Sequence, residues 1–348
     1  MGFLLSDKLP FELGYKMPAE WEKHEGTWIS WPKNPDSFPN EIIGEVENTY
    51  IQMIKELQKH EKVNLLIDDG ISEKIVRELF QLNKVSTSNL VLHKIHTSDV
   101  WFRDYGPIFV TKDGKVAFTH WKFNAWGNKY EDLVLDTDVP TRMPLSDFKG
   151  FDVPIVLEGG SIDVNGLGAC LTTEQCLLNK NRNPQLSKDQ IGKYLRDYLG
   201  ATNMIWLKEG IAGDDTDGHV DDLARFVSKD TVVCAVEENK EDENYNALKS
   251  NLAILRKSKD QDGNKINVVP LPMPKPVVYE GQRLPASYTN FYIANETVLV
   301  PIFKDENDKK AIEILQKLFP DRKVVGINCR ELVYGFGAIH CVTQQQPS

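Results

Sequence analysis

Gly213-Asp214-Asp215-Thr216-Asp217-Gly218-His219-Val220-Asp221-Asp222 runs straight into two apolar segments, residues 223–227 and 231–236, with no helix between them. Their Val, Ile and Phe content and their Asp and Gly borders favour strands. Similar runs lie at 63–67, 90–95, 107–110, 116–121, 155–157, 204–207, 266–271, 291–293, 298–303 and 323–327. Amphipathic helical spacing appears over 41–60, with Ile43, Val46, Tyr50, Ile54 and Leu57 three or four apart. Residues 187–199 open with Ser187 and Gln190 in a capping-box pattern, and 307–319 carry Ile312, Leu315 and Phe319 with Asp308 early. The class is α/β. A doubly wound parallel sheet is the default for strand groups separated by single helices. So many strands per helix fit it poorly, and point to repeated small sheet-plus-helix units.

The chain has 348 residues, roughly two domains by length, or one larger barrel or propeller. No composition shift marks a linker, and the polar stretch 237–243 reads as a surface loop. Lys and Arg total 41 against 51 Asp and Glu, a net charge of −10, which argues against a nucleic-acid partner. It fits a soluble enzyme or one with a cationic ligand. Five cysteines, Cys170, Cys176, Cys234, Cys329 and Cys341, are too sparse for a disulfide scaffold and predict reduced thiols in a cytoplasmic protein. The short apolar patch at the N-terminus does not read as a secretory signal. No apolar run approaches the roughly 18 residues of a membrane helix.

Four segments carry candidate chemistry. In the opening stretch, His219 and Asp221 are two apart and would share one face of a strand, joining an imidazole to a carboxylate. The acidic run could also be a solvated turn or a cation loop, although it lacks the ligand spacing and terminal Glu of an EF-hand. Asp99-Val100-Trp101-Phe102-Arg103-Asp104-Tyr105-Gly106-Pro107 ends in a sharp turn that holds a carboxylate; a structural Arg–Asp pair is the alternative. Leu157-Glu158-Gly159-Gly160-Ser161 sets Glu158 at the end of a buried strand, before glycines that permit positive φ or close backbone approach. A plain hairpin with an exposed Glu would look the same. Gly335-Phe336-Gly337-Ala338-Ile339-His340-Cys341 places a cysteine after a Gly-x-Gly turn. A small buried hydrophobe accounts for the other four cysteines, whereas Cys341 paired with a distant His is a candidate nucleophile. His340, adjacent in sequence, would face the opposite way. No Cys-x-x-Cys or His-x-x-x-His spacing supports zinc.

In order, these segments resemble the guanidine-modifying deiminases, most closely the agmatine deiminases. Met17-Pro18-Ala19-Glu20-Trp21, Trp28-Ile29-Ser30-Trp31-Pro32, Phe123-Asn124-Ala125-Trp126-Gly127, Leu171-Thr172-Thr173-Glu174 and Asn181-Arg182-Asn183-Pro184 extend the resemblance nearly end to end. Tyr105, Phe336 and Ala338 depart from the family pattern, the last two in the loop before Cys341. The resemblance implies a five-bladed, pseudo-symmetric, pentein-like α/β propeller, with residues 1–348 forming one catalytic domain.

It further implies hydrolysis of agmatine, a small cationic guanidine, through a covalent amidino-thioether on Cys341, with Asp104 and Asp221 each binding the guanidinium bidentately. His219 would act as acid and base, and Glu158 would orient it or stabilise charge. Asp214 or Asp215 would receive the distal amine, the latter preferred. Trp101 would wall the methylene chain, unless it is simply a core Trp. No metal or other cofactor is required, and a homo-oligomer follows by analogy alone. Free arginine, peptidyl arginine, amidino transfer, metal binding and an inactive binding protein are the competing readings.

Overall fold

The computed structural model describes residues 8–348, so the apolar patch at residues 1–7 lies outside the described residues. The two strands after His219 form as an antiparallel pair, Ala224–Ser228 with Thr231–Val236. Helix Tyr245–Leu255 then crosses back, and strand Asn267–Pro272 pairs parallel to Thr231–Val236. Adjacent strands need only a tight turn, whereas a parallel partner needs a crossover, and one helix supplies it.

This strand–strand–helix–strand order occurs five times among the described residues. Ile108–Lys112, Lys115–Lys122 and Lys149–Val156 form one unit, with short helical turns as the crossover. Ile162–Val164, Ala169–Thr173 and Asn203–Leu207 form another around helix Lys188–Leu199. Tyr292–Ala294, Thr297–Ile302 and Lys323–Asn328 form the fourth, with helix Asp308–Leu318. In the remaining unit the chain's two ends meet. Gln344–Pro347 is antiparallel to His24–Ser30, which pairs parallel with Lys62–Ile67 after helix Ile43–Leu57. That unit alone adds a helix, Gly70–Leu82, and an edge strand, Leu90–Lys94. The repeat closed by a C-terminal strand is the five-bladed propeller, and the doubly wound alternative is excluded.

Local chemistry explains the element boundaries. Asp113 and Gly114, at φ +48° and +71°, make the two-residue turn between Ile108–Lys112 and Lys115–Lys122, as Asp-Gly favours. The Ser187–Gln190 capping box is formed in both directions, and Gly200 at φ +74° ends that helix. Val46, Tyr50, Ile54 and Leu57 line the buried face of helix Ile43–Leu57. Apolar cores fill the spaces between neighbouring units. No helix among the described residues is long and apolar enough to cross a membrane.

Candidate active site

Each unit is entered through a connection that leads into its first strand, and the five connections meet at the centre. They deliver Asp104, Glu158, the His219–Asp222 group, Asn290 and Cys341. The Gly160 N–H donates to Asp104 Oδ1 at 3.0 Å, and the Arg103 N–H donates to the Cys341 carbonyl at 3.1 Å. His219 Nδ1 lies 3.8 Å from Asp104 Oδ1, and Cys341 Sγ lies 3.7 Å from Asp221 Oδ2. A Cβ on Gly160 would come within 2.6 Å of His219 Nδ1, 2.9 Å of Asp104 Oδ1 and 3.1 Å of Asp221 Oδ2. Gly160 therefore faces the point where base and both carboxylates converge. Gly159 has the same need for space, its absent Cβ lying 2.3 Å from the Arg103 carbonyl. Neither glycine takes a positive φ, so the need is close approach.

The polar groups are fixed from behind. Trp126 Nε1 donates to Asp104 Oδ2 at 2.9 Å. The indole is aimed by four consecutive left-handed residues, Ala125, Trp126, Gly127 and Asn128, a conformation costly for side chains other than glycine. Arg182 donates to Glu158 Oε1 at 2.6 Å and to Asp217 and the Thr216 carbonyl, tying Glu158 to the His219 loop. His340 bridges Asp221 Oδ2 at 2.6 Å and Glu20 Oε2 at 2.9 Å. Several polar atoms in this buried centre make no hydrogen bond within the protein: Glu158 Oε2, Asp221 Oδ1 and both His219 ring nitrogens. Such groups are costly when buried unpaired, and a polar ligand would satisfy them.

Charge is distributed unevenly. Burial pushes the Asp104 carboxyl up to about 6, aided by Asp221 and Glu158 and opposed by His219. Burial acts on Asp221 in the same sense, but His340, His219 and Arg225 together outweigh it and hold Asp221 below its ordinary range. Burial disfavours an imidazolium at His219, yet Asp104, Cys176 and Asp221 overcome it and raise His219 well above its usual value. For Cys341, burial and then Asp221, Asp222 and Asp104 hold the thiol well above its ordinary range. The empty site thus favours a neutral thiol, and a bound cation would reverse the balance.

A cavity of about 530 Å³ opens from Cys341 and Asp104 to solvent. Six carboxylates line it, Asp36, Asp104, Glu131, Asp132, Asp215 and Glu280, and no Lys or Arg is among the described residues lining it. Trp101, Trp126, Tyr130, Tyr279, Tyr334 and Phe336 provide aromatic walls. Two buried triplets bring their donor atoms within 4.8 Å: Glu158 with Cys176 and His219, and Asp221 with Asp222 and Cys341. Neither is read as a metal site. Arg182 already supplies the cation at Glu158, and the second triplet belongs to the carboxylate cradle beside the thiol.

Residues 16–347 match the family described as Porphyromonas-type peptidyl-arginine deiminase. The chain belongs to this family. It is 37% identical over 341 residues to a Legionella pneumophila (strain Paris) relative named "Putative agmatine deiminase", covering 97% of each chain. The agmatine deiminase of Enterococcus faecalis superposes with a TM-score of 0.91 at 33% identity, covering 100% of both chains. A cysteine-to-serine variant of C. jejuni agmatine deiminase with substrate bound gives a TM-score of 0.86 at 34% identity, covering 96% of each.

Against the expectations for this deiminase family member, Asp104, Glu158, His219, Asp221 and Cys341 are brought together. Asp215 and Trp101 both line the cavity, whereas Asp214 is spent on the N–H groups of Thr216, Gly218 and His219 within its own loop. The shared-strand argument for His219 and Asp221 does not hold. Gly218 turns at φ +90° and Val220–Asp222 is a 3-10 turn, which brings both side chains to the site by a different geometry. The glycines before Cys341 provide room for a ring: Cβ atoms at Gly335 and Gly337 would lie 2.8 and 2.4 Å from the Trp101 indole. Phe336 takes the left-handed turn at φ +70°. Cys176, expected to be only a small buried hydrophobe, is buried but also lies beside His219. Tyr105 is structural, its hydroxyl donating to the Asp99 carbonyl at 2.8 Å.

Sequence reasoning missed Asn290, Asp222 and the chemical contributions of Trp126, Arg182 and His340. Trp126 and Arg182 stand inside motifs of the family resemblance, the signal that could have found them. Asn290 stands in Leu284-Pro285-Ala286-Ser287-Tyr288-Thr289-Asn290-Phe291, which contains no acid, base or glycine to draw attention.

Proposed function

We propose that the protein is an agmatine deiminase, converting agmatine and water to N-carbamoylputrescine and ammonium. The observation that carries this reading is the cavity wall, acidic and without a Lys or Arg among its described lining residues. A dication is stabilised along its length there, whereas arginine's α-carboxylate would meet six carboxylates and neither a Lys nor an Arg, His96 on the wall being already paired with Asp68. Asp215, on that wall and accepting from the Tyr130 hydroxyl at 2.5 Å, is the proposed receptor for the distal ammonium. Trp101 packs along the methylenes.

Asp104 and Asp221 grip the guanidinium. Its charge offsets the carboxylates around Cys341, the thiol proton leaves to solvent, and the thiolate attacks the guanidinium carbon. Protonated His219 gives its proton to the departing nitrogen, so the C–N bond breaks and an amidino-thioether remains. Neutral His219 then takes a proton from water as the oxygen attacks the same carbon. The C–S bond breaks, the ureido product leaves, and the released proton accompanies ammonia as ammonium. Glu158, anchored by Arg182, stabilises positive charge on His219. These roles fit one catalytic domain, and the five unpaired, buried cysteines support a reducing, cytoplasmic setting.

Incubation with agmatine, free arginine and a blocked arginine peptide, reading ammonia and ureido product, tests the proposal. Agmatine is expected to turn over with a kcat/KM at least about 100-fold above either arginine substrate, the scale of an unpaired charge in a specific pocket. Cys341→Ser abolishes it. Preference for arginine, or turnover surviving that substitution, overturns the reading.

A further inference from the structure

We propose that Asn290 is a catalytic residue of this site, its side-chain amide donating to the Cys341 sulfur and holding it as a thiolate during attack. This rests on Cys341 being the nucleophile, and it adds a neutral donor to a set otherwise made of acids and bases.

Asn290 is fully buried on the connection into strand Tyr292–Ala294. Both ends of its amide are used. Oδ1 accepts from the backbone N–H of His340 at 2.9 Å and that of Cys341 at 3.4 Å. Nδ2 donates to Asp222 Oδ1 at 3.0 Å and to Cys341 Sγ at 3.1 Å. The two backbone N–H groups decide the amide's orientation, since a flipped amide would set donors against donors and leave Oδ1 facing Asp222 and sulfur. An N–H therefore points at the sulfur by construction.

The need for it is electrostatic. Asp221, Asp222 and Asp104 face the sulfur, His219 faces Asp104 from the same centre, and His340 bonds Glu20 and the same Asp221 Oδ2 that lies 3.7 Å from the sulfur. Ionised Asp221 and Asp104 oppose the sulfur's negative form, while burial and then Asp221 hold the Asp222 carboxyl well above its ordinary range. A fixed N–H donor interacts more strongly with a thiolate than with a thiol, so its contribution grows as the proton leaves. The Ala338 backbone amide assists from the same loop. Asn290 also clamps His340 and Cys341 through Oδ1, so one side chain positions the nucleophile and stabilises its charge.

Asn290→Asp keeps an oxygen for the backbone N–H groups but puts an acid where the donor was, whereas Asn290→Ala removes the donor without adding charge, so an upward shift common to both variants reports the lost N–H. The readout is the pH profile of Cys341 alkylation by iodoacetamide without substrate, followed by mass spectrometry of the Cys341 peptide, with kcat, KM and Tm measured alongside. The profile is expected to move up by about one pH unit or more, with alkylation at neutral pH slowed at least about tenfold, the scale of a hydrogen bond to a charged group. kcat should fall with KM little changed. A wild-type alkylation profile and kcat in the folded variant overturn the proposal. Asn290→Ala is measured beside it, and an unchanged profile in the folded Asn290→Ala variant is equally fatal, whatever Asn290→Asp shows. Alkylation needs no substrate. A protein inert towards agmatine that still shows the shift would sink the deiminase reading while supporting the donor to sulfur.

Discussion

Asp104 and Asp215 share one dependence on pH: burial pushes both carboxyls up to about 6, so each is charged above that value and neutral below it. A neutral acid cannot pair with a guanidinium, so kcat/KM for agmatine should fall as pH drops through about 6, the free-enzyme limb. The bound cation favours the ionised form, so the limb in kcat itself should sit lower. Steady-state rates across that range check both, and a flat kcat/KM profile would remove Asp104 from the cradle. At this scale the titratable residues were legible: Asp104, Glu158, His219, Asp221 and Cys341 each stand in a segment dense in glycine and charge. Asn290 was not, because its contribution depends on four partners from other connections, two of them backbone N–H groups.

The 3-10 turn Gly159–Ser161 shows what an element contributes beyond its residues. It carries no charge, yet it presents the Gly160 N–H to Asp104 and leaves open the point between His219, Asp104 and Asp221. Gly160→Ala would place a methyl there. Its backbone needs no positive φ, so the fold should survive, but a methyl 2.6 Å from His219 Nδ1 and 2.9 Å from Asp104 Oδ1 forces those buried side chains to shift and should lower Tm. The guanidinium would be displaced, and kcat/KM should fall by at least about 100-fold, the scale of an ångström's misplacement at a reacting centre. Calorimetry and steady-state kinetics on one preparation separate these effects; near-wild-type kinetics would place the substrate elsewhere. Elements announced by local chemistry, such as the helix capped by Ser187, could be read directly. Strand Gln344–Pro347 could not, since its polar residues are buried by pairing with His24–Ser30 across the length of the chain.

The whole molecule turns that distant pairing into a closed ring, and the ring gathers five sequence-remote connections at one charged centre. Repeated small units were visible in the strand count; closure was a tertiary fact that local periodicity does not encode. The same scale governs substrate approach. A net charge of −10 and six carboxylates along the cavity produce a field that draws in cations and acts more strongly on two charges than on one. Salt weakens that field, with a screening length of about 10 Å at 0.1 M. Raising ionic strength at fixed pH should therefore lower kcat/KM for agmatine more steeply than for an alkylguanidine of equal length without the distal amine. kcat should change little, because the cradle around the guanidinium is buried and poorly screened. The comparison isolates the second charge: equal salt slopes for both substrates would mean that the acidic wall does not act on the distal ammonium, and Asp215 would lose its proposed role.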